Sequence, residues 1–285
     1  MENGRVTSTI YRSPAGEDQI RQWCENQFSA WPVEHERQVL PAKGLDTHIV
    51  RAGTGSTSVV FIAGDRFSSA PCLPILTALA QHYQVIAVDV PGQPGLSSGA
   101  ADASHGRLAW YGSWLDEVVE NATSGAVVVF GHSFGGAIAL AAGSSRIRGR
   151  LAVSTGGLCS VRLTPATLLA FVGWAARPSG SSSVRLLRAL SAPGSEPRAA
   201  LVEWMTLVAK HTRPVSSSDL IRAPSRIPVV VATGEHDTLI PPGRLRPAAR
   251  RVLDVDLTVV PGGGHLVTEE LPDQLVSLIG ILAGG

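Results

Sequence analysis

Val127-Val128-Val129-Phe130-Gly131-His132-Ser133-Phe134-Gly135-Gly136 sets one serine among three glycines directly after a β-branched run. The residues before the turn, Ala126 to Phe130, read as a buried strand, and the Ala-rich stretch Phe134 to Ser145 reads as a helix. Gly131-His132-Ser133-Phe134-Gly135 therefore fits G-x-S-x-G in a strand-to-helix setting, where glycine permits a turn that a Cβ would crowd. Such a turn lifts the Ser133 hydroxyl above the end of the strand. It also leaves the Phe134 N–H, at the helix start, aimed at an anion forming beside that hydroxyl.

A serine hydroxyl is a weak nucleophile at neutral pH and needs a base, itself oriented by an acid. Val229 to Asp237 reads V-V-V-A-T-G-E-H-D, a strand running into a polar loop that delivers carboxylates to the same sheet edge. Asp237 is the favoured acid; Glu235 is the competitor, and it also suits a turn-stabilising role. The base candidate is His265, which ends the glycine-rich loop Pro261-Gly262-Gly263-Gly264-His265. His132 and His236 adjoin these residues, but side chains next to one another on tight turns point different ways, so packing or hydrogen bonding suits them better. His35, His48, His82, His105 and His211 lie in segments that do not lead to the elbow.

Working outward, strand-length apolar runs recur at Ser58 to Ala63, Gln84 to Val90, Leu151 to Ser154, Pro228 to Ala232 and Leu257 to Val260. Helical patterns alternate with them at Pro71 to His82, Gly106 to Asn121, Pro241 to Leu253 and Glu270 to Leu282. This alternation predicts an α/β fold, a mostly parallel sheet with helices on both faces. His35 to Leu40 and Thr47 to Ala52, separated by Pro41 to Asp46, predict an antiparallel hairpin at one edge, with the first thirty residues packed outside it. Residues 158–222 interrupt the rhythm with no convincing strand and with helical patterns at Pro165 to Ala176, Ser183 to Leu190 and Glu196 to His211. An insertion of that size predicts a helical lid, 158–222, set into a core formed by 1–157 and 223–285. Pro178 to Ser183 reads as a short flexible interruption within it.

The totals exclude several function classes. A 285-residue chain with 44% hydrophobic residues buries a sizeable core, and a formal net charge of +1 with dispersed arginines offers no nucleic-acid surface. Cys24, Cys72 and Cys159 are odd in number and widely spaced, so they form neither a disulfide framework nor a metal-ligand pattern. No apolar run approaches membrane-spanning length, and the first thirty residues lack the apolar centre of a secretory signal. The expected home is the cytoplasm.

The chain order Ser133, Asp237, His265 and the elbow itself resemble the α/β-hydrolase superfamily, from about Gly44 onward. Val59-Val60-Phe61-Ile62-Ala63-Gly64-Asp65 resembles that family's strand and oxyanion loop, with Ala63 where histidine is common. The resemblance implies that the Asp65 N–H joins that of Phe134 as an oxyanion-hole donor. An acidic side chain beside an oxyanion is unfavourable unless it points away or is paired, and Arg66 follows directly. Asp89-Val90-Pro91-Gly92-Gln93-Pro94-Gly95-Leu96-Ser97 is similar to the family's D-x-x-G-x-G-x-S segment with one added residue, which implies a structural Asp89. Tyr11, the Trp31 region and Thr47-His48 resemble a bacterial carboxylesterase branch.

The resemblance implies a serine hydrolase acting on a carboxylic ester or lactone of a small, largely apolar substrate, through an acyl-enzyme and without a cofactor or metal. Carbon–carbon bond hydrolysis, thioester cleavage, perhydrolysis and acyl transfer or cyclisation use the same triad, and a non-catalytic small-molecule receptor can keep the fold. Serine at the nucleophile position argues against the related dehalogenases and epoxide hydrolases, which use a carboxylate. The insertion offers mainly apolar side chains, in Leu168 to Phe171, Trp174, Leu186 to Leu190, Trp204 and Met205, which suits a hydrophobic acyl or alcohol part; ordinary packing within the lid accounts for each of them better, so none is assigned as a binding residue. Oligomeric state is not legible in the chain.

Overall fold

The computed structural model describes residues 9–101, 107–214, 220–221 and 227–283. His105, the expected helix start Gly106 and residues 215–219 and 222 of the expected insertion lie outside them.

The chain begins with α1 (Pro14–Ala30) and an edge hairpin of β1 (His35–Ala42) and β2 (Leu45–Ala52). It continues through β3 (Ser58–Ile62), α2 (Leu73–Ala80), β4 (Gln84–Val88), α3 (Arg107–Ala122), β5 (Val127–His132), α4 (Phe134–Ala141) and β6 (Ile147–Val153). Three helices follow, α5 (Pro165–Ala176), α6 (Gly180–Leu190) and α7 (Ala199–His211). The last part runs β7 (Val229–Gly234), α8 (Pro242–Leu253), β8 (Leu257–Val260), α9 (Val267–Glu270) and α10 (Pro272–Ala283).

All eight strands form one sheet, ordered β1-β2-β4-β3-β5-β6-β7-β8, parallel except at β1/β2 and β2/β4. The expected mostly parallel sheet is thus observed. Its central strands are apolar on both faces because both are covered. In β3, Val59 and Phe61 enter one core and Val60 and Ile62 the other; in β5, Val128 and Phe130 oppose Val127 and Val129 in the same way. One core takes in α2, α8, α10 and the α5–α7 helices, and the other takes in α3 and α4. The strand order reverses at β3: β4 lies to one side and β5 to the other. In open α/β sheets, ligands bind outside the carboxyl ends of the strands at such a switch point. The loops leaving β3 and β5 carry Gly64-Asp65 and Ser133.

Several local expectations are corrected. The edge hairpin is tighter than the six-residue loop expected, because Pro41 pairs with Asp46 and Ala42 with Leu45. Lys43 (φ 51°) and Gly44 (φ 72°) make the turn, both in the left-handed region that a two-residue hairpin requires. Pro178 to Ser183 is not a flexible interruption: Ser179 caps α6, accepting from the Ser182 N–H, while the Ser182 hydroxyl accepts from the Ser179 N–H. Glu270 to Leu282 is two helices rather than one, since Pro272 starts a new helix instead of continuing α9. The second half of α1 meets the hairpin, with Phe28 and Trp31 against His35 and Glu25 paired with Arg37, and the helix also packs on α7, where the Trp23 and Trp204 rings lie 5.0 Å apart.

Candidate active site

Ser133 occupies the single residue between β5 and α4 with φ 52° and ψ −110°. Its N–H donates to the Val153 carbonyl at 2.9 Å and its own carbonyl accepts from the Gly156 N–H at 3.0 Å, so β6 and the loop after it hold the strained turn. The flanking glycines are required by close approach. A Cβ at Gly131 would lie 2.2 Å from the Gly135 carbonyl oxygen, and one at Gly135 would lie 2.2 Å from that of Ile62. This is the packing that the G-x-S-x-G spacing predicts.

His265 Nε2 lies 3.2 Å from Ser133 Oγ, and its Nδ1 lies 2.9 Å and 3.1 Å from the two Asp237 oxygens. Residues 132 positions apart in the chain thus form one relay. Asp237 is buried and well supplied with donors: Oδ1 accepts from the backbone N–H groups of Leu239 and Ile240, and Oδ2 from the Thr233 hydroxyl. Burial by itself would push this carboxyl up. The His265 ring beside it and the hydrogen bonds outweigh that and hold it well below the usual carboxylate range. The competitor Glu235 is elsewhere, accepting from the Gly262 N–H at 3.0 Å across the turn.

His265 is fixed through its backbone. The His265 N–H donates to the carbonyl of Leu190, the last residue of α6, and the His265 carbonyl accepts from His132 Nε2 at 2.8 Å. His132 therefore acts as a hydrogen-bonding support, as expected of it, although its target was not legible in the sequence. That bond puts the proton on Nε2. Burial, with the neighbouring His265 ring adding to it, pushes His132 down to about 4, so it is neutral near pH 7.

Gly64 closes the site from the β3 side, where a Cβ would come within 3.2 Å of Ser133 Cβ. Neither the Asp65 nor the Phe134 N–H donates to an acceptor among the described residues, so both remain available on the wall beside Ser133. Burial pushes the Asp65 carboxyl up, against the lowering charges of Arg66 and Arg107, yet two-fifths of its side-chain surface still opens into the cavity. Asp89 is not part of this constellation. Its oxygens accept from the Ser69 and Leu96 N–H groups and face His48, pinning the loop after β4.

A cavity of about 520 Å³ lies over Ser133 and His265, with Asp65 and Arg66 on one wall. Of the apolar insertion residues, Phe171, Leu190 and Met205 line it. Trp174, Leu186 and Leu187 are buried instead, Trp204 is buried against Trp23 of α1, and Leu168 and Leu169 face outward. Cys159 also reaches the cavity wall; it and the buried Cys24 and Cys72 are free thiols. Among the described residues, no helix is long and apolar enough to cross a membrane.

Carboxylesterase YbfK of Bacillus subtilis (strain 168) is 26% identical over 113 residues, an aligned stretch covering 39% of this chain and 38% of that protein. The chain thus matches well under half the length of that curated relative. Similar solved structures include carboxylesterase CesB (YbfK) of Bacillus subtilis, with a TM-score of 0.77 at 19% identity over 95% of this chain and 99% of that one. Naproxen esterase (carboxylesterase NP) of Bacillus subtilis has the same TM-score at 18% identity, again over 95% and 99%. The model of the Alpha/beta hydrolase family matches residues 53–278, which carry the sheet from β3 onward, the serine turn and both of its partner loops. The chain belongs to the alpha/beta hydrolase family.

Proposed function

We propose that the chain is a serine hydrolase cleaving a carboxylic ester or lactone of a small, largely apolar substrate. The observation that carries this reading is the unbroken relay from Ser133 Oγ through His265 to Asp237 at the floor of a cavity. His265 takes the Ser133 proton as the hydroxyl attacks the carbonyl carbon, and Asp237 holds the imidazole in the tautomer that leaves Nε2 free to accept it. The new negative charge on the former carbonyl oxygen meets the N–H groups of Phe134 and Asp65. As the tetrahedral species collapses, His265 returns the proton to the leaving alcohol, leaving an acyl group on Ser133. Water, deprotonated by His265, then attacks the acyl carbon and releases the acid.

The substrate class is supported by the cavity wall. Phe171, Leu190 and Met205 offer apolar surface from the α5–α7 insertion, which serves as the lid of the site. A covered cavity of this size suits small molecules rather than folded polypeptides. The sequence similarity to carboxylesterase YbfK supports an ester among the bonds that the same relay can cleave.

Purified protein assayed on p-nitrophenyl esters of short and medium chain length tests the reading. Activity is expected in the wild type and absent in Ser133→Ala. A fluorophosphonate should label Ser133 alone, and label recovered at another residue refutes the assignment.

A further inference from the structure

Arg66 is held more firmly than a cavity-wall arginine requires. Its backbone is left-handed at φ 63°, a strained conformation for a non-glycine residue that persists only where the surroundings over-determine it. The Arg66 N–H donates to Gln93 Oε1 at 2.7 Å, and its carbonyl accepts from Trp204 Nε1 at 3.0 Å. The guanidinium carbon lies 5.4 Å over the Trp174 ring, and Nη1 donates to Thr212 Oγ1 at 3.4 Å. The loop after β4, α5, α7 and the residue following α7 all contribute to this one placement. Its outcome is Arg66 Nε 3.6 Å from Asp65 Oδ2.

Asp65 needs such a partner. Its N–H faces the oxyanion in the serine-hydrolase reading, on which this inference rests. Covalent geometry then keeps its carboxylate within roughly 4–7 Å of the same oxygen. Two negative charges at that separation oppose each other strongly where water is sparse. Arg107 lies on the opposite flank, 4.9 Å over the Phe134 ring, and its charge affects Asp65 less than that of Arg66.

We infer that Arg66 is a positioning residue that holds and neutralises the Asp65 carboxylate beside the oxyanion hole, so that a loop bearing an acid there still stabilises a developing oxyanion. The helical insertion thereby contributes to the chemistry through Trp174, Trp204 and Thr212, which fix the arginine. Because the opposing charge appears only in the transition state, loss of Arg66 acts on kcat and leaves KM nearly unchanged.

The test is a double-mutant cycle of Asp65→Asn and Arg66→Met, assayed on the best p-nitrophenyl ester with Ser133→Ala alongside. Arg66→Met should lower kcat about tenfold or more, and adding Asp65→Asn should return it to within about twofold of Asp65→Asn alone. An Arg66→Met enzyme with wild-type kcat overturns the inference, and so does a double variant as slow as Arg66→Met, since a structural loss is not repaired by removing a charge. Arg66→Lys remains informative if Arg66→Met does not fold: it should keep at least about a third of kcat, and a larger loss that Asp65→Asn fails to reverse also overturns it. If Ser133→Ala retains activity, both readings fall. If that variant is inactive and the cycle shows no rescue, only the role of Arg66 falls.

Discussion

His132 Nε2 donates to the His265 carbonyl at 2.8 Å, so the residue preceding the elbow serine carries the backbone of the residue that serves it. The two rings lie 5.3 Å apart, and a Cβ at Gly64 would come within 3.2 Å of both His132 and Ser133. One short turn therefore sets the position of both the proposed nucleophile and its base. Removing the donor should loosen His265. His132→Gln, whose amide can reach the same carbonyl, should retain most of kcat, and His132→Ala should lose about tenfold or more. Steady-state kinetics on one ester separates the cases, because KM should hardly move in either variant.

The same histidine makes stability depend on pH. Its folded value of about 4 lies below the ordinary value near 6.5, so the unfolded chain takes up a proton first as pH falls. The stabilisation is complete above about pH 6.5 and diminishes between there and about pH 4, by up to about 3 kcal/mol. Asp237, held below its ordinary range, adds a loss that begins only as pH falls below about 4. Urea unfolding at a series of pH values should show the first decline in the wild type and a shallower one in His132→Gln.

Asp237→Asn should leave the fold in place and reduce kcat by a factor on the order of 10³ to 10⁴, since an amide cannot hold the imidazole in the required tautomer or balance its charge. Glu235→Gln should leave kcat within about twofold, because Glu235 pairs with the Gly262 N–H and with His236 at the exposed turn rather than with His265. A collapse of activity in Glu235→Gln with a mild effect in Asp237→Asn would reverse the acid assignment.

Asp89→Ala should separate structure from chemistry. It strips a buried acceptor from the Ser69 and Leu96 N–H groups, so it should cost about 2–4 kcal/mol of stability. The kcat of the folded fraction should stay near wild type. Thermal melting paired with active-site titration by a fluorophosphonate measures the two effects independently.

Gly135→Ala should destabilise by about 3 kcal/mol or more, as the new methyl would sit 2.2 Å from the Ile62 oxygen with only backbone on either side to yield. Ser133→Gly should do the reverse, removing the hydroxyl together with the strain at φ 52°, and so melt higher while losing all activity.

Much of this arrangement was legible because it is local. The strand, the glycines and the helix around Ser133 lie within twenty residues, and the loops bearing Asp237 and His265 each follow a β-branched strand. Residue types that serve two purposes were less legible. Ser179 and Ser182 read as flexible but make a reciprocal cap, and Pro41 reads as a strand breaker yet sits in an edge strand, where its missing N–H is tolerated. The contact from His132 to His265 and the clamp on Arg66 join positions more than a hundred residues apart, and no short-range pattern encodes such pairs.

The bond from the His265 N–H to the carbonyl of Leu190 ties the end of α6 to the base, and the Thr238 hydroxyl reaches the neighbouring Ala189 carbonyl from the loop that bears the acid. A hinge that swung α6 outward would pull the relay apart as it opened the cavity. Phe171 and Val161 border the same cavity from the α5 side, away from these two bonds. On the serine-hydrolase reading, α6 is thus tied to the loops bearing Asp237 and His265, so a change at its end is felt at the proposed relay as well as at the cavity wall.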